Sequence, residues 1–167
     1  MKTIQRLVSA IFLVIAFVGI NQLANAQKPP SEKEIAITKL VDSQRYVFYA
    51  EKVNPSGGGQ KILTSEYTLK VSKDTIICDL PYFGRAYSAP IGTTDGGIVF
   101  TTTDFEYKNE PRKKGGWDIF IRPKDVQGGQ QVNMTIFSNG NTSVQVTSNN
   151  RQPISFNGYI EERKKKK

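Results

Sequence analysis

Few side chains in this sequence could take part in covalent or acid–base chemistry. Its 167 residues include no histidine and a single cysteine, Cys78. A serine or cysteine nucleophile needs an imidazole base, and a zinc site needs three or four cysteine, histidine or carboxylate ligands at close spacing. Neither kind of site is visible, and one cysteine cannot form an intramolecular disulfide. We therefore expect no metal and no cofactor.

Three carboxylates, Asp104, Glu106 and Asp118, could still support a hydrolase, because a glycosidase needs only two carboxyl groups. Asp104 and Glu106 are two residues apart and would share one face of a strand. The same spacing also describes solvent-facing residues beside Phe105 and Tyr107. The prediction is that the protein is not an enzyme, with a carboxylate-based hydrolase as the alternative.

The most distinctive segment is a run of aromatic and basic residues, Asp79-Leu80-Pro81-Tyr82-Phe83-Gly84-Arg85-Ala86-Tyr87. Pro81 fixes its own φ and ends a strand, and Gly84 permits a bend that most residues resist. Two interpretations remain open. The segment could plug one end of a barrel, with Arg85 bonded to a carboxylate or to backbone carbonyls. It could instead gate an apolar cavity, with Arg85 binding an anionic ligand.

Two residues outside this segment could also contact a ligand. Trp117, the single tryptophan, begins a predicted strand, where it would be either a core anchor or part of a binding mouth. Arg151 closes the last turn, where a guanidinium commonly bonds nearby carbonyls. The candidate ligand-binding residues are Tyr82, Phe83, Arg85, Tyr87, Trp117 and Arg151.

The elements that must position these residues begin with a short helix. Ser31 and Glu34 have the S-x-x-E spacing of a capping box, and Ile37, Leu40 and Val41 then form a one-sided apolar stripe. Cys78, in an apolar strand-like run, is expected to be a small buried side chain.

After Ser43 the apolar period changes to two, which predicts about eight or nine short strands bounded by turn residues. Ser138-Asn139-Gly140-Asn141 places Asn-Gly at the centre of a tight hairpin, because both residues tolerate positive φ. The fold class is therefore mainly β, an antiparallel barrel or sandwich. One sheet face is predicted to be core, with Val132, Met134, Ile136, Val144, Val146, Ile154 and Phe156 pointing inward.

Residues 1–26 are predicted to be a signal peptide. Lys2 and Arg6 precede an apolar run that ends near Ala24-Asn25-Ala26, so the mature chain would begin at Gln27. The run is about 14 residues long, short of the ~20 that a spanning helix needs, and no membrane span is expected. The protein is predicted to be periplasmic or secreted.

The positive charge is concentrated at one place. The net charge of +8 falls to +6 without Lys2 and Arg6, and Arg163–Lys167 carry five of these charges. We expect one domain over residues 27–162, then a basic disordered tail. Nucleic-acid binding is disfavoured, and Lys164–Lys167 could make weak electrostatic contact with a membrane.

Several segments also occur in the order found in a known family, and on them the chain resembles the domain of unknown function 4251 family over about Ile35–Glu162. The resemblance implies an exported protein of Gram-negative bacteria without an assigned activity, and a fold similar to the lipocalin-like antiparallel barrel. The segments are the Tyr67–Val71 strand, Asp79–Tyr87, the Phe105/Tyr107 strand, Ser138-Asn139-Gly140 and Asn150-Arg151-Gln152-Pro153-Ile154.

Together these patterns predict an exported, non-catalytic β-barrel of the cell envelope. Its partner would be a small apolar or anionic molecule, or another envelope protein. Besides the hydrolase, a purely structural or inhibitory envelope protein remains open.

Overall fold

The computed structural model describes residues 29–85, 87 and 96–163. The predicted signal peptide and Lys164–Lys167 of the predicted tail lie outside the described residues. The described residues from Glu32 onward belong to one compact unit. Within this part of the chain, no helix is long and apolar enough to cross a membrane.

The helix that the capping-box pattern predicts is present as α1 (Glu32–Ser43) and begins one residue after Ser31. Ile37 and Val41 are buried, and Leu40 packs beside them against the core. The helix contacts the last strand of the sheet. The predicted apolar stripe therefore attaches α1 to the sheet.

An antiparallel sheet of nine strands follows in the described residues, in the order β4-β3-β2-β1-β9-β8-β7-β6-β5. This agrees with the eight or nine strands predicted from the period of two. The strands are β1 (Tyr46–Pro55), β2 (Lys61–Val71), β3 (Ile76–Leu80), β4 (Ile98–Thr102), β5 (Phe105–Pro111), β6 (Trp117–Pro123), β7 (Gln131–Ile136), β8 (Asn141–Thr147) and β9 (Ile154–Glu162).

The chain itself brings the two edges of the sheet together. The edge strands β4 and β5 are consecutive and are separated only by Thr103 and Asp104. The Lys124 N–H donates to the Asp104 carbonyl oxygen at 2.8 Å, and the Thr102 hydroxyl bonds the Asp125 carboxylate, which hold this corner. The sheet is thus a nearly closed barrel. This decides between the barrel and the sandwich that the sequence left open.

The interior of the barrel is formed by alternate residues of each strand. In β7 and β8 the predicted inward residues, such as Met134 and Val144, are buried while their neighbours are half-buried or exposed, and Thr142 continues the inward row at the start of β8. Tyr46, Phe48 and Phe156 are the largest fully buried side chains. The predicted core face is confirmed.

The Tyr46 hydroxyl is a polar group within this apolar interior. It lies 3.2 Å from the Tyr107 hydroxyl, so the two phenols satisfy each other. Burial, followed by the neighbouring Tyr107, raises the pKa of Tyr46. Both groups stay neutral at physiological pH.

Cys78 is fully buried in β3, as its apolar surroundings predict. Burial is the main cause that raises the pKa of its thiol far above the usual range. Because the thiolate is the reactive form, Cys78 is chemically inert in the folded protein.

The Asn-Gly hairpin between β7 and β8 is confirmed, but its turn differs from the one predicted. The Gly140 N–H donates to the Phe137 carbonyl at 2.8 Å, and the Phe137 N–H donates to the Asn141 carbonyl at 2.9 Å. Gly140 has a φ of 86°, whereas Asn139 has no positive φ. The turn is therefore of type I followed by a left-handed glycine, rather than a two-residue turn with both residues left-handed.

A β-bulge in β1 brings two backbones unusually close. The register of β1 shifts between Ala50 and Lys52 in its pairing with both β2 and β9. Gly158 of β9 lies opposite Ala50, and a Cβ atom there would overlap the carbonyl oxygen of Tyr49. Only glycine fits at this position, because the clashing atom belongs to the backbone and cannot rotate away.

We expect Gly158→Ala to lower the free energy of unfolding by about 2–3 kcal/mol, because the added methyl group must displace the backbone of β1. Urea unfolding measures this loss. Gly57→Ala is the matched control, since a Cβ at Gly57 meets no atom within 4 Å, and should change stability by less than about 0.5 kcal/mol. Equal effects of the two substitutions would contradict the close approach.

Candidate functional site

The aromatic segment leaves the barrel at the end of β3. This strand ends at Leu80 because Pro81 has no N–H with which to continue the ladder. Leu80 and Pro81 are buried, and Tyr82 is half-buried and packs against the core. The described residues from Phe83 to Tyr87 are exposed. The segment thus has an inner part and an outer part.

The connection between β8 and β9 lies at the same end of the barrel and is bonded to this segment. The Tyr82 hydroxyl lies 2.8 Å from the Arg85 carbonyl oxygen and 3.1 Å from that of Gln152, and shares its proton between them. The Gln152 N–H donates to the Arg85 carbonyl at 3.1 Å, and the Tyr87 N–H donates to the Asn150 carbonyl at 2.8 Å. We call this set the Tyr82 junction.

Arg151 completes the junction. Its Nη1 donates to the carbonyl oxygens of Gly97 at 2.7 Å and Gly96 at 3.3 Å, and its guanidinium lies 5.0 Å from the centre of the Tyr82 ring. Burial raises the pKa of the Tyr82 hydroxyl, and the positive charge of Arg151 opposes that shift. Arg151 therefore bonds backbone carbonyls, as predicted for a guanidinium that closes a turn.

Outside the junction, the segment presents exposed aromatic rings beside basic groups. Phe83 is 42% exposed and Tyr87 is 70% exposed. The Lys61 ammonium, from the start of β2, lies 4.7 Å from the centre of the Phe83 ring, within the range of a cation–π contact. The Arg85 side chain is exposed as well. We call Lys61, Phe83, Arg85 and Tyr87 the aromatic rim.

Of the two interpretations of the segment, this geometry favours the plug. Arg85 contributes its backbone carbonyl to the junction, while its side chain is exposed. Tyr82 and Arg151 close the end of the barrel through bonds to backbone. Ligand contact by any of the six candidates remains a prediction.

Trp117 is not near the other five candidates. It begins β6, pairs with Pro111 and Ile136, and packs half-buried against the core. The far end of β6 leads to β7, whose Gln131 pairs with Thr147 just before the β8–β9 connection. Trp117 is thus separated from the Tyr82 junction by the length of β6, about 20 Å.

The three carboxylates are spread over the outer surface. Asp104 and Glu106 are exposed, and Glu106 lies 3.3 Å from the Lys124 ammonium. Asp118 accepts a hydrogen bond from the Thr135 hydroxyl at 2.8 Å and lies 3.4 Å from Arg112. A groove of about 290 Å³ on this face includes Glu106 but neither aspartate. The arrangement gives the hydrolase alternative no support.

Sequence reasoning did not identify Lys61, Gly96 or Gly97 as part of this end of the barrel. Lys61 meets Phe83 because β2 and β3 are antiparallel, so the start of β2 extends past the end of β3 beside the segment that follows it. The two glycines contribute only their backbone carbonyl oxygens. Every residue type has this group, so the sequence gives no signal for the contact. No motif could have indicated these contacts.

We expect Arg151→Ala to lower the free energy of unfolding by about 1–2 kcal/mol, since it removes two hydrogen bonds to carbonyls and the stacking on Tyr82. Arg85→Ala is the matched control, because only its carbonyl is used, and should change stability by less than about 0.5 kcal/mol. Urea unfolding of both variants measures the difference. A larger loss for Arg85→Ala than for Arg151→Ala would show that the junction is assigned wrongly.

Comparison with known proteins agrees with the fold described above. The model of the family described as "Domain of unknown function (DUF4251)" matches residues 29–160. The chain is also similar to the crystal structure of a DUF4251 family protein from Bacteroides eggerthii DSM 20697, with a TM-score of 0.62 and 19% sequence identity. That similarity covers 78% of this chain and 87% of the other, and it supports the fold alone. A comparison with curated proteins finds no match.

Proposed function

Because this chain belongs to the DUF4251 family, whose function is unknown, we propose its function from its own geometry: it is an exported, non-catalytic binding domain of the cell envelope. Its binding surface is the aromatic rim. Its partner is another envelope protein that presents apolar side chains together with carboxylates. The observation that carries this proposal is the exposure of two aromatic rings, Phe83 and Tyr87, on a segment that the Tyr82 junction holds in place.

Exposed aromatic rings on a fixed backbone are suited to binding. Phenylalanine, tyrosine and arginine are enriched at protein interfaces, and tyrosine and arginine often dominate the binding energy. Ordering a side chain on association costs about 0.5–1.5 kcal/mol, and a backbone that is already held adds little to that cost. The bonds of Tyr82, Tyr87 and Gln152 fix the rim before any partner arrives.

The large buried side chains of the interior support a surface site over an internal one. A barrel of about eight strands has an interior that side chains just fill or that holds one small ligand. Tyr46, Phe48 and Phe156 occupy it here, and all three are fully buried. A ligand held inside the barrel is therefore the less supported form of the binding prediction.

The charge of the rim indicates the chemistry of the partner. Lys61 and Arg85 are both exposed cations, while the guanidinium of Arg151 is already bonded to carbonyls. Cations beside apolar rings favour a surface with carboxylates among apolar groups. The signal-peptide pattern of residues 1–26 supports a location in the envelope.

A photo-crosslinking side chain at Phe83, in cells of the native host, tests this proposal. We expect irradiation to give one discrete adduct in the envelope fraction, because the rim would lie against its partner. The matched control places the same group at Phe120, which is 37% exposed on β6 and lies outside the rim. Lys61→Glu with Arg85→Glu should reduce the Phe83 adduct about tenfold, as loss of two charge pairs predicts.

Two results would contradict the proposal. One is an adduct of equal yield from Phe83 and Phe120, which would indicate random collision. The other is the absence of a protein adduct together with a bound small molecule, seen by native mass spectrometry and lost in Phe83→Ala. That result would assign the rim to a small ligand.

A further inference from the structure

A groove with a volume of about 500 Å³ lies at the far end of β2 from the aromatic rim. It is formed by the turn between β2 and β3, the residues between α1 and β1, and the residue that follows β9. β2 begins at Lys61, in the rim, and ends at Val71, which lines the groove. The two surfaces are therefore separated by the length of β2, about 30 Å.

Three basic side chains from different parts of the chain line this groove. Arg45 precedes β1, Lys73 lies in the turn between β2 and β3, and Arg163 follows β9. Within residues 29–85, 87 and 96–163, none of the three forms an ion pair. Asp74 is the one acidic residue among the described residues of the lining. Three cations against one carboxylate give the lining a net charge of +2.

The strand register places two of these cations side by side. Tyr46 of β1 pairs with Glu162 of β9. One residue earlier along β1, the same register places Arg45 opposite Arg163. Directly opposite residues share one face of a sheet, and like charges at such positions destabilise it. An anion bound between the two arginines would relieve this repulsion.

The next row on the same side of the sheet does not offset this charge. In that row Val47 lies between Lys70 of β2 and Glu161 of β9. These two residues contribute one charge of each sign, and neither lines the groove. The excess positive charge therefore stays with the groove itself.

Hydrogen bonds hold the backbone around the groove. The Arg45 N–H donates to the Leu40 carbonyl oxygen at 3.2 Å. The N–H and the hydroxyl of Ser72 both donate to the Thr75 carbonyl oxygen, at 3.0 Å and 2.7 Å. The Thr75 hydroxyl makes no hydrogen bond within the described part of the chain and is a further donor at the groove. The donors thus stand on a backbone that is already ordered, which lowers the entropy cost of binding.

The chemistry of these donors favours a phosphate monoester over a carboxylate. A guanidinium presents its N–H groups in a fork that matches phosphate oxygens, and a lysine ammonium adds a compact charge. A phosphate monoester carries about 1.5–2 negative charges at pH 7, close to the opposite of the lining charge, whereas a carboxylate carries one. The volume lies within the roughly 300–1,000 Å³ of small-molecule sites. The half-buried Ile77 offers apolar area to the organic part of the ester.

We propose that this groove is a binding site for a phosphate monoester, whose phosphate group lies between Arg45 and Arg163 and is also contacted by Lys73. A small soluble ester and a lipid with a terminal phosphate offer the same chemistry to the groove. The site is independent of the aromatic rim.

Titration of isotope-labelled protein with phenyl phosphate, followed by NMR, tests this site. We expect saturable shifts of the Arg45, Ser72 and Thr75 amides, with a Kd below about 1 mM, and no shift at Phe83 or Tyr87 of the rim. Benzoate has the same ring and a single charge, and should bind at least about tenfold more weakly. Equal affinity for the two compounds would overturn the proposal.

Charge variants show whether the groove cations are responsible. Arg45→Gln combined with Lys73→Gln should weaken phenyl phosphate binding at least about tenfold, because charge-assisted hydrogen bonds are lost. Both side chains are exposed, and the backbone bond of Arg45 is kept. The matched control, Lys113→Gln with Lys114→Gln, removes the same charge from exposed residues of the β5–β6 turn. At about 0.15 M salt it should change the affinity less than about twofold. Equal weakening by both pairs would overturn the site.

Vesicles distinguish a soluble ester from a lipid. Phosphatidylcholine vesicles with and without phosphatidic acid, whose phosphate is terminal, are added to the labelled protein. Broadening of the groove amides by phosphatidic acid alone, lost in Arg45→Gln with Lys73→Gln, would support a lipid source. Shifts with phenyl phosphate and no such broadening would support a small soluble ester. The absence of both effects would overturn the proposal, and so would vesicle binding as the sole effect if the double variant keeps it.

Discussion

The segment that follows β3 and the connection between β8 and β9 are distant in the sequence but meet at one end of the barrel. The Tyr82 hydroxyl joins them. It bonds carbonyl oxygens of both, at Arg85 and Gln152. Backbone polar groups near a packed core need partners, and at this end each connection supplies them for the other. Arg151 likewise donates hydrogen bonds to the backbone carbonyl oxygens of Gly96 and Gly97. Closure of this end of the barrel and display of the rim both depend on this junction.

The residues of the short aromatic segment have two roles, and the junction lies between them. Leu80, Pro81 and Tyr82 face the core and seal the barrel, whereas Phe83 and Tyr87 are exposed. A surface built in this way is rigid without being buried, which reduces the entropy lost on binding.

The parts of this structure that repeat regularly along the chain could be predicted from the sequence. Alternation in Val132, Met134 and Ile136 identifies inward positions because the side-chain period of a strand is two. The hydrogen bonds of Arg151 to backbone carbonyls could also be predicted from the sequence, since a guanidinium in a turn commonly bonds carbonyls. The contacts of Lys61 with Phe83, and of Tyr49 with Tyr159, did not follow, because they depend on which strands are neighbours and on their register. Trp117 was grouped with the other candidate ligand-binding residues on its residue type alone, and the structure places it away from them, at the start of β6.

The aromatic segment is held on the barrel by its backbone before any partner binds. Hydrogen exchange of the Tyr87 and Gln152 amides tests this attachment, since these two N–H groups donate to the carbonyl oxygens of Asn150 and Arg85. Both amides are expected to exchange slowly, while the Gly57 amide in the exposed hairpin tip exchanges fast. Exchange of Tyr87 and Gln152 at the rate of an unprotected peptide would contradict it.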